Sequence, residues 1–139
     1  MKAKVLSLWL IFLVMMSFVF SAEKKKRVYS WQELFPDPIE RVYIFMKNGV
    51  VIKYTSHYET KIHMSIGRLE ETLKKIKNKN YSIKEIRIII HNHRRKNYFT
   101  SEDYRQYRML KKYGFNGLFL LYCHRTKEVY DIEGKKKSN

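Results

Sequence analysis

Cysteine is almost missing from this chain. Cys123 stands alone among 139 residues, so no intrachain disulfide can form. No pair of cysteines is available to build a zinc ribbon either. Cys123 follows the apolar run 118–122 and reads as a small buried hydrophobe instead of a nucleophile. Proline is nearly as scarce. Pro36 and Pro38 both fall within residues 28–38, beside Trp31 and Phe35, and mark a docked arm or turn instead of a long element. The five glycines form no Gly-rich loop for a nucleotide phosphate, and no serine sits in a nucleophile elbow. Nucleotide hydrolysis and serine chemistry therefore fit poorly. Acidic residues are outnumbered, 13 against 29 Lys and Arg, for a formal net charge of +16. Such a surplus attracts nucleic acid, anionic lipid or polyanionic wall polymers. It is spread over Lys24-Lys25-Lys26-Arg27, residues 74–79, Arg94-Arg95-Lys96 and Lys135-Lys136-Lys137, with no single dominant stripe, so solvated faces are the commoner explanation.

What remains suits one folded domain. The length is enough for a core, and the plentiful aromatic residues argue against disorder. Residues 1–22 place Lys2 and Lys4 before the apolar stretch 5–20 and end in Ser21-Ala22, the layout of a secretory signal. No cysteine stands at the cleavage point for a lipid anchor. The expectation is a secreted or periplasmic protein. The alternative is a membrane anchor, because the basic residues 24–27 immediately after the apolar segment favour retention on the cytoplasmic side. The domain plan is then 1–22 signal or anchor, 23–38 N-terminal arm, 39–133 the folded domain, and 134–139 a basic tail expected to fray.

Arg41–Met46 and the run 50–54 flank Asn48-Gly49, a strong hairpin signal. The second strand can continue through 55–64. Ser65 can cap a helix with Ile66, Leu69, Leu73 and Ile76 on one face, closed by the polar run 77–80. An isoleucine-rich strand is expected over 84–91. Thr100-Ser101-Glu102-Asp103 opens a second helix with Tyr104, Tyr107 and Leu110 on one face, stopped at Gly114. Residues 118–122 read as a buried strand and Glu128 to Ile132 as an edge strand. The fold class is mixed α/β: a single sheet with two helices, in the order hairpin, helix, strand, helix, hairpin.

The isoleucine strand ends in His91-Asn92-His93. Residues two apart on a strand share a face, so both imidazoles can converge where the strand leaves the sheet. Asp103 follows ten residues later in the first turn of a helix. Two histidines and a carboxylate, with a fourth position open to water, form the pattern of a catalytic zinc site. Asp103 has a second reading, because Thr100-x-x-Asp103 also resembles a capping box, and the two roles are compatible. His57 and His63, six residues apart, and His124, at a turn, read as ordinary surface or core histidines.

This constellation resembles the metal motif of the JAB/MPN (JAMM) metallopeptidase superfamily. There a His-x-His leaves a central strand and Ser-x-x-Asp supplies the third ligand from the next helix. The asparagine between the histidines is similar to the bacterial RadC-like branch, and the element order agrees over roughly residues 40–133. Two departures stand out. Arg94 replaces the family's proline, and the loop is one residue short, which aligns Thr100-x-x-Asp103 in place of a motif beginning at Ser101.

The resemblance implies a cytidine-deaminase-like, JAB-type sandwich that binds Zn2+ through His91, His93 and Asp103. It implies Glu40, directly before the first strand, as the residue that holds the metal-bound water and acts as general base; Glu33 and Glu59 are other glutamates in reach of such a pocket. Thr100 or Ser101 would supply a hydroxyl to the oxyanion. The function implied is a zinc-dependent hydrolase cleaving a peptide or isopeptide amide in a peptide or protein substrate. Arg94, Arg95 and Lys96 are a solvated loop or, in the functional reading, rim the site and select acidic substrates. The alternative is a non-catalytic module of the same fold whose basic surface holds DNA or another polyanion.

Overall fold

A computed structural model describes residues 30–55, 65–76 and 81–138. The expected N-terminal signal or anchor, the continuation of the second strand, His57, Glu59 and His63 lie outside the described residues. Among those that are described, no helix is long and apolar enough to cross a membrane.

The fold is mixed α/β. Its elements are α1 (Trp31–Leu34), β1 (Arg41–Met46), β2 (Val51–Thr55), α2 (Ile66–Lys75), β3 (Ile86–His93), α3 (Ser101–Lys112), β4 (Leu118–Cys123), β5 (Glu128–Asp131) and β6 (Lys136–Lys137). The six strands form one sheet in the order β2-β1-β3-β4-β5-β6. Every neighbouring pair is antiparallel except β3 and β4, which run parallel on either side of the α3 crossover. That crossover is the expected consequence of two parallel strands needing a long connection.

Central strands β1, β3 and β4 are apolar on both faces, so the sheet separates two cores. On one face Ile44, Ile89 and Leu121 pack with Leu69 and Leu73 of α2 and Leu110 of α3. Both helices therefore cover the same face. Each of these buried leucines contributes roughly 1.5–3 kcal/mol. On the other face Tyr43, Ile90, Leu120 and Tyr122 pack with Phe35, Trp31 and Leu34 from the N-terminal arm. Phe35 stacks on Tyr122 at 5.1 Å and meets Tyr43 edge-on at 5.4 Å. The Tyr43 hydroxyl donates to the Leu34 carbonyl at 2.9 Å. The arm is thus docked, as expected, though it contains a short helix that the two prolines hid: Ser30 and Glu33 form a capping box that starts it before Pro36.

Three features differ from the sequence expectation. Strand β3 begins after a 3-10 turn at Ile83–Glu85 and continues two residues further, to His93, because β4 carries the pairing on through Asn92–Tyr122 and His93–Cys123. The lysine tail is not frayed at 136–137. It forms β6 beyond β5, held by the ion pairs Lys136–Glu128 (2.7 Å) and Lys137–Asp131 (3.0 Å). Tyr104 is exposed, so only Tyr107 and Leu110 of its stripe reach the core.

Two glycines set the geometry between α3 and β4, at the opposite end of β3 from His93. Gly114 ends α3 at φ +92°, a conformation costly for any residue with a Cβ. At Gly117 a Cβ would lie 2.3 Å from the Arg87 carbonyl oxygen, so only glycine lets β4 enter this close beside β3.

Candidate metal centre

Strand β3 alternates strictly at its end. His91 and His93 share the face covered by the helices, while Asn92 points through the sheet to the opposite side. His91 is buried between the rings of Phe99 (5.7 Å) and Phe119 (5.6 Å), and the His93 ring lies 5.0 Å away. Phe99, itself buried, ties the loop after β3 down onto the core. The next residue, Thr100, is then in place to cap α3.

The capping box is present. Thr100 Oγ1 accepts from the Asp103 N–H at 3.3 Å, and Asp103 Oδ2 accepts from the Thr100 N–H at 2.6 Å and from its hydroxyl at 2.8 Å. Asp103 is at the same time beside both histidines. His91 Nε2 lies 3.2 Å from Oδ1 and His93 Nε2 lies 3.5 Å from Oδ2. Capping and convergence with the histidines are therefore two properties of one side chain.

His91, His93 and Asp103 form a group that can hold a metal ion, one ligand atom from each lying within 4.8 Å of the others. Two observations fit that use. His91 Nε2 is buried without a hydrogen bond, an arrangement that costs energy unless something else satisfies the nitrogen. The two histidine–carboxylate separations, each to its own oxygen, also lie near the about 3.3 Å between ligands at ~2.0–2.1 Å around a tetrahedral ion. Electrostatics point the same way. Burial, then the neighbouring His91, push the His93 imidazole down to about 4, so that it stays neutral and able to ligate well into the acid range. Burial alone would raise the Asp103 carboxyl, but the His91 ring and the Thr100 N–H and hydroxyl together hold it well below the usual carboxylate range.

The remaining sequence candidates separate cleanly. Val42 on β1 pairs with His91. The pairing ends there; a register extended two residues past it would set Glu40 across from His93, on the histidine face. Glu40 is outside the ligand group itself. Glu33 is engaged in the capping box of α1, whose core lies on the far side of the sheet. Ser101 is exposed at the first position of α3, whereas the Thr100 hydroxyl is committed to Asp103. Arg94, Arg95 and Lys96 are exposed in the loop leaving the site. Cys123 is fully buried, its thiol 3.7 Å from the Arg95 carbonyl oxygen.

Two features had weak sequence signals. Asn92 joins β1 and the arm, with Oδ1 accepting from the Arg41 N–H at 2.6 Å and Nδ2 donating to the Ile39 carbonyl at 3.0 Å. His124 is not an ordinary turn residue: its Nε2 is 2.9 Å from Asn92 Nδ2, and its ring meets Tyr122 edge-on at 5.1 Å. Period-two alternation predicted that Asn92 faces away from its histidine neighbours, but not what it meets there.

Comparison of the chain with protein-family models, with curated proteins and with solved structures finds no match.

Proposed function

We propose that this protein is a zinc-dependent hydrolase of JAMM type, with a JAB-like sheet and helix arrangement, that cleaves an amide bond in a peptide or protein. The observation that carries the reading is the convergence of His91, His93 and Asp103 with separations suited to one small cation. Zinc held there supplies an acidified water and a Lewis acid for the carbonyl oxygen. The chain's own residues do the rest. His91 and His93 offer ring nitrogens from one strand, and Asp103 offers a carboxylate whose orientation is fixed by Thr100. Glu40, which an extended β1 register would set opposite His93, takes the proton from the attacking water and returns it to the leaving amine. Because the Thr100 hydroxyl is occupied, Ser101 is the hydroxyl free to donate to the developing oxyanion. The exposed Arg95 and Lys96 favour acidic substrates at the rim. On this reading the N-terminal segment sends the protein across a membrane or anchors it there.

The test is metal content of the purified chain by elemental analysis beside His91→Ala and Asp103→Ala. About one zinc per chain, lost in both variants, with amide hydrolysis in a peptide screen, is the expected result. No zinc uptake by the unaltered chain sinks the reading.

The formal charge of +16 supports a second reading, a non-catalytic module of the same fold that holds DNA or another polyanion. Salt-sensitive DNA binding that survives His91→Ala, without hydrolysis, would favour it.

A further inference from the structure

The residue between the two candidate ligands faces away from them, yet both of its side-chain contacts to β1 and the arm bear on one residue of the site. Asn92 is 1% exposed. Its Nδ2 donates to the carbonyl of Ile39, which belongs to the peptide group preceding Glu40. Its Oδ1 accepts from the N–H of Arg41, which belongs to the peptide group following Glu40. A peptide group is planar, and φ and ψ are rotations between two such planes. Fixing both planes fixes φ and ψ of Glu40 and so the direction of its Cα–Cβ bond. Strand pairing alone does not do this, because β1 begins at Arg41. The side-chain amide stands in for the missing ladder, donating and accepting as a partner strand would.

The orientation of that amide is itself determined. Reversing it would set the amide oxygen against the Ile39 carbonyl and the NH2 group against the Arg41 N–H, losing both bonds. The third contact, to His124 Nε2, holds the same orientation when that nitrogen accepts from Asn92.

We propose that Asn92 is a positioning residue for Glu40: its buried amide clamps the peptide groups on either side of that glutamate, and so aims the carboxylate at the metal centre from the opposite face of the sheet. The inference rests on the hydrolase reading above, in which Glu40 serves as the base. Asn92 touches neither metal nor substrate and acts through Glu40 alone.

The experiment uses the full chain loaded with cobalt(II), whose visible absorption changes with pH as the metal's surroundings change. Four variants are compared with the unaltered protein: Glu40→Gln, Asn92→Ala, the double variant, and Tyr43→Phe. The last removes a different tie between the arm and the sheet, the bond to the Leu34 carbonyl. Glu40→Gln is expected to move the midpoint of the spectral change by about one pH unit, a tenfold change in the proton equilibrium. Asn92→Ala should move it in the same direction by a similar amount, the double variant no further, and Tyr43→Phe not at all. Exchange of the Arg41 amide should quicken in Asn92→Ala. If that variant does not fold, Asn92→Asp retains the acceptor for Arg41, loses the donor to Ile39, and should give a smaller shift of the same sign.

Asn92 variants with an unaltered midpoint, while Glu40→Gln moves it, overturn the clamp and leave the hydrolase reading standing. A shift in Tyr43→Phe as large as that in Asn92→Ala also overturns it, since general loosening of the arm would then suffice. An unaltered midpoint in Glu40→Gln removes Glu40 as the base, and the role of Asn92 falls with it.

Discussion

The two carboxylate oxygens of Asp103 are unequally engaged by Thr100: Oδ2 accepts from its N–H and its hydroxyl, while Oδ1 stands 3.2 Å from His91 Nε2. A residue that would cap the helix without any metal is thereby held with one oxygen toward the histidines.

Thr100→Val should separate these roles. The hydroxyl is lost, and with it both the cap to the Asp103 N–H and the bond to Oδ2. Stability should fall by about 1 kcal/mol in urea unfolding of the metal-free protein. Zinc affinity, followed by competition with a chelating dye, should fall by roughly 10-fold to 100-fold, the usual cost of removing a group that orients a ligand. A stability loss with unchanged affinity would show that Asp103 needs no help from its cap.

His91→Leu should abolish metal binding and weaken the metal-free fold as well. The buried Nε2 has no hydrogen bond in the described structure, and the ring sits between Phe99 and Phe119. An apolar side chain of similar reach removes that unsatisfied atom. It also takes from the half-buried Asp103 carboxylate the ring that stands 3.2 Å from Oδ1, so the metal-free variant should lose about 1–3 kcal/mol. The rise in melting temperature that zinc gives the parent should vanish.

Glu40→Gln should leave zinc content unchanged, because Glu40 lies outside the ligand group. Amide hydrolysis should drop by roughly 10²-fold to 10⁴-fold, the range for loss of a general base. Loss of zinc together with activity would instead make Glu40 a ligand.

Acid should destabilise the metal-free protein in a defined window. Burial lowers the folded-state pKa of both His93, to about 4, and His124 from the ordinary 6.5. As pH falls below about 6.5, the unfolded chain takes up protons that the folded chain refuses, so stability declines. The stabilisation is fully present above about pH 6.5 and is lost progressively toward pH 4, where His93 protonates in the folded state as well. His124→Gln should flatten part of that slope in denaturant titrations with chelator present. A flat profile between pH 6.5 and 4 in the unaltered protein would contradict the burial argument. Further acid acts on Asp37, whose carboxyl the bidentate Arg41 holds down to about 2. Its stabilisation is present above the normal carboxylate range and is lost only as pH falls toward that value.

Local patterns were the legible part of this protein. Alternation along 86–93 put the two histidines on one face, and the Thr100-x-x-Asp103 spacing gave the cap. Leu69, Leu73 and Leu110 carried the helical period into the core. Which hydroxyl Asp103 engages, that of Thr100 or of Ser101, was not legible, since it depends on where the chain enters α3 once Phe99 is buried. Nor was the placement of both helices on one face with the arm on the other, because amphipathic stripes do not say which face of a sheet they cover. The pairing of Lys136-Lys137 with β5 was hidden for a similar reason: a lysine run reads as solvated until Glu128 and Asp131 are known to stand beside it.

The three candidate ligands lie within thirteen consecutive residues, 91–103, whereas Asn92 reaches Arg41 across 51 positions of sequence. Metal capture is therefore a local property of one strand, one loop and one helix start. The glutamate enters only when a distant part of the chain has docked. Under gradual weakening of the fold, by mutation over generations or by denaturant in a cuvette, the two capacities should part company in a fixed sequence. On the proposed hydrolase reading, a chain that still takes up zinc but has lost its base is the first form expected, and loss of the Asn92 bonds to Ile39 and Arg41 is enough to produce it.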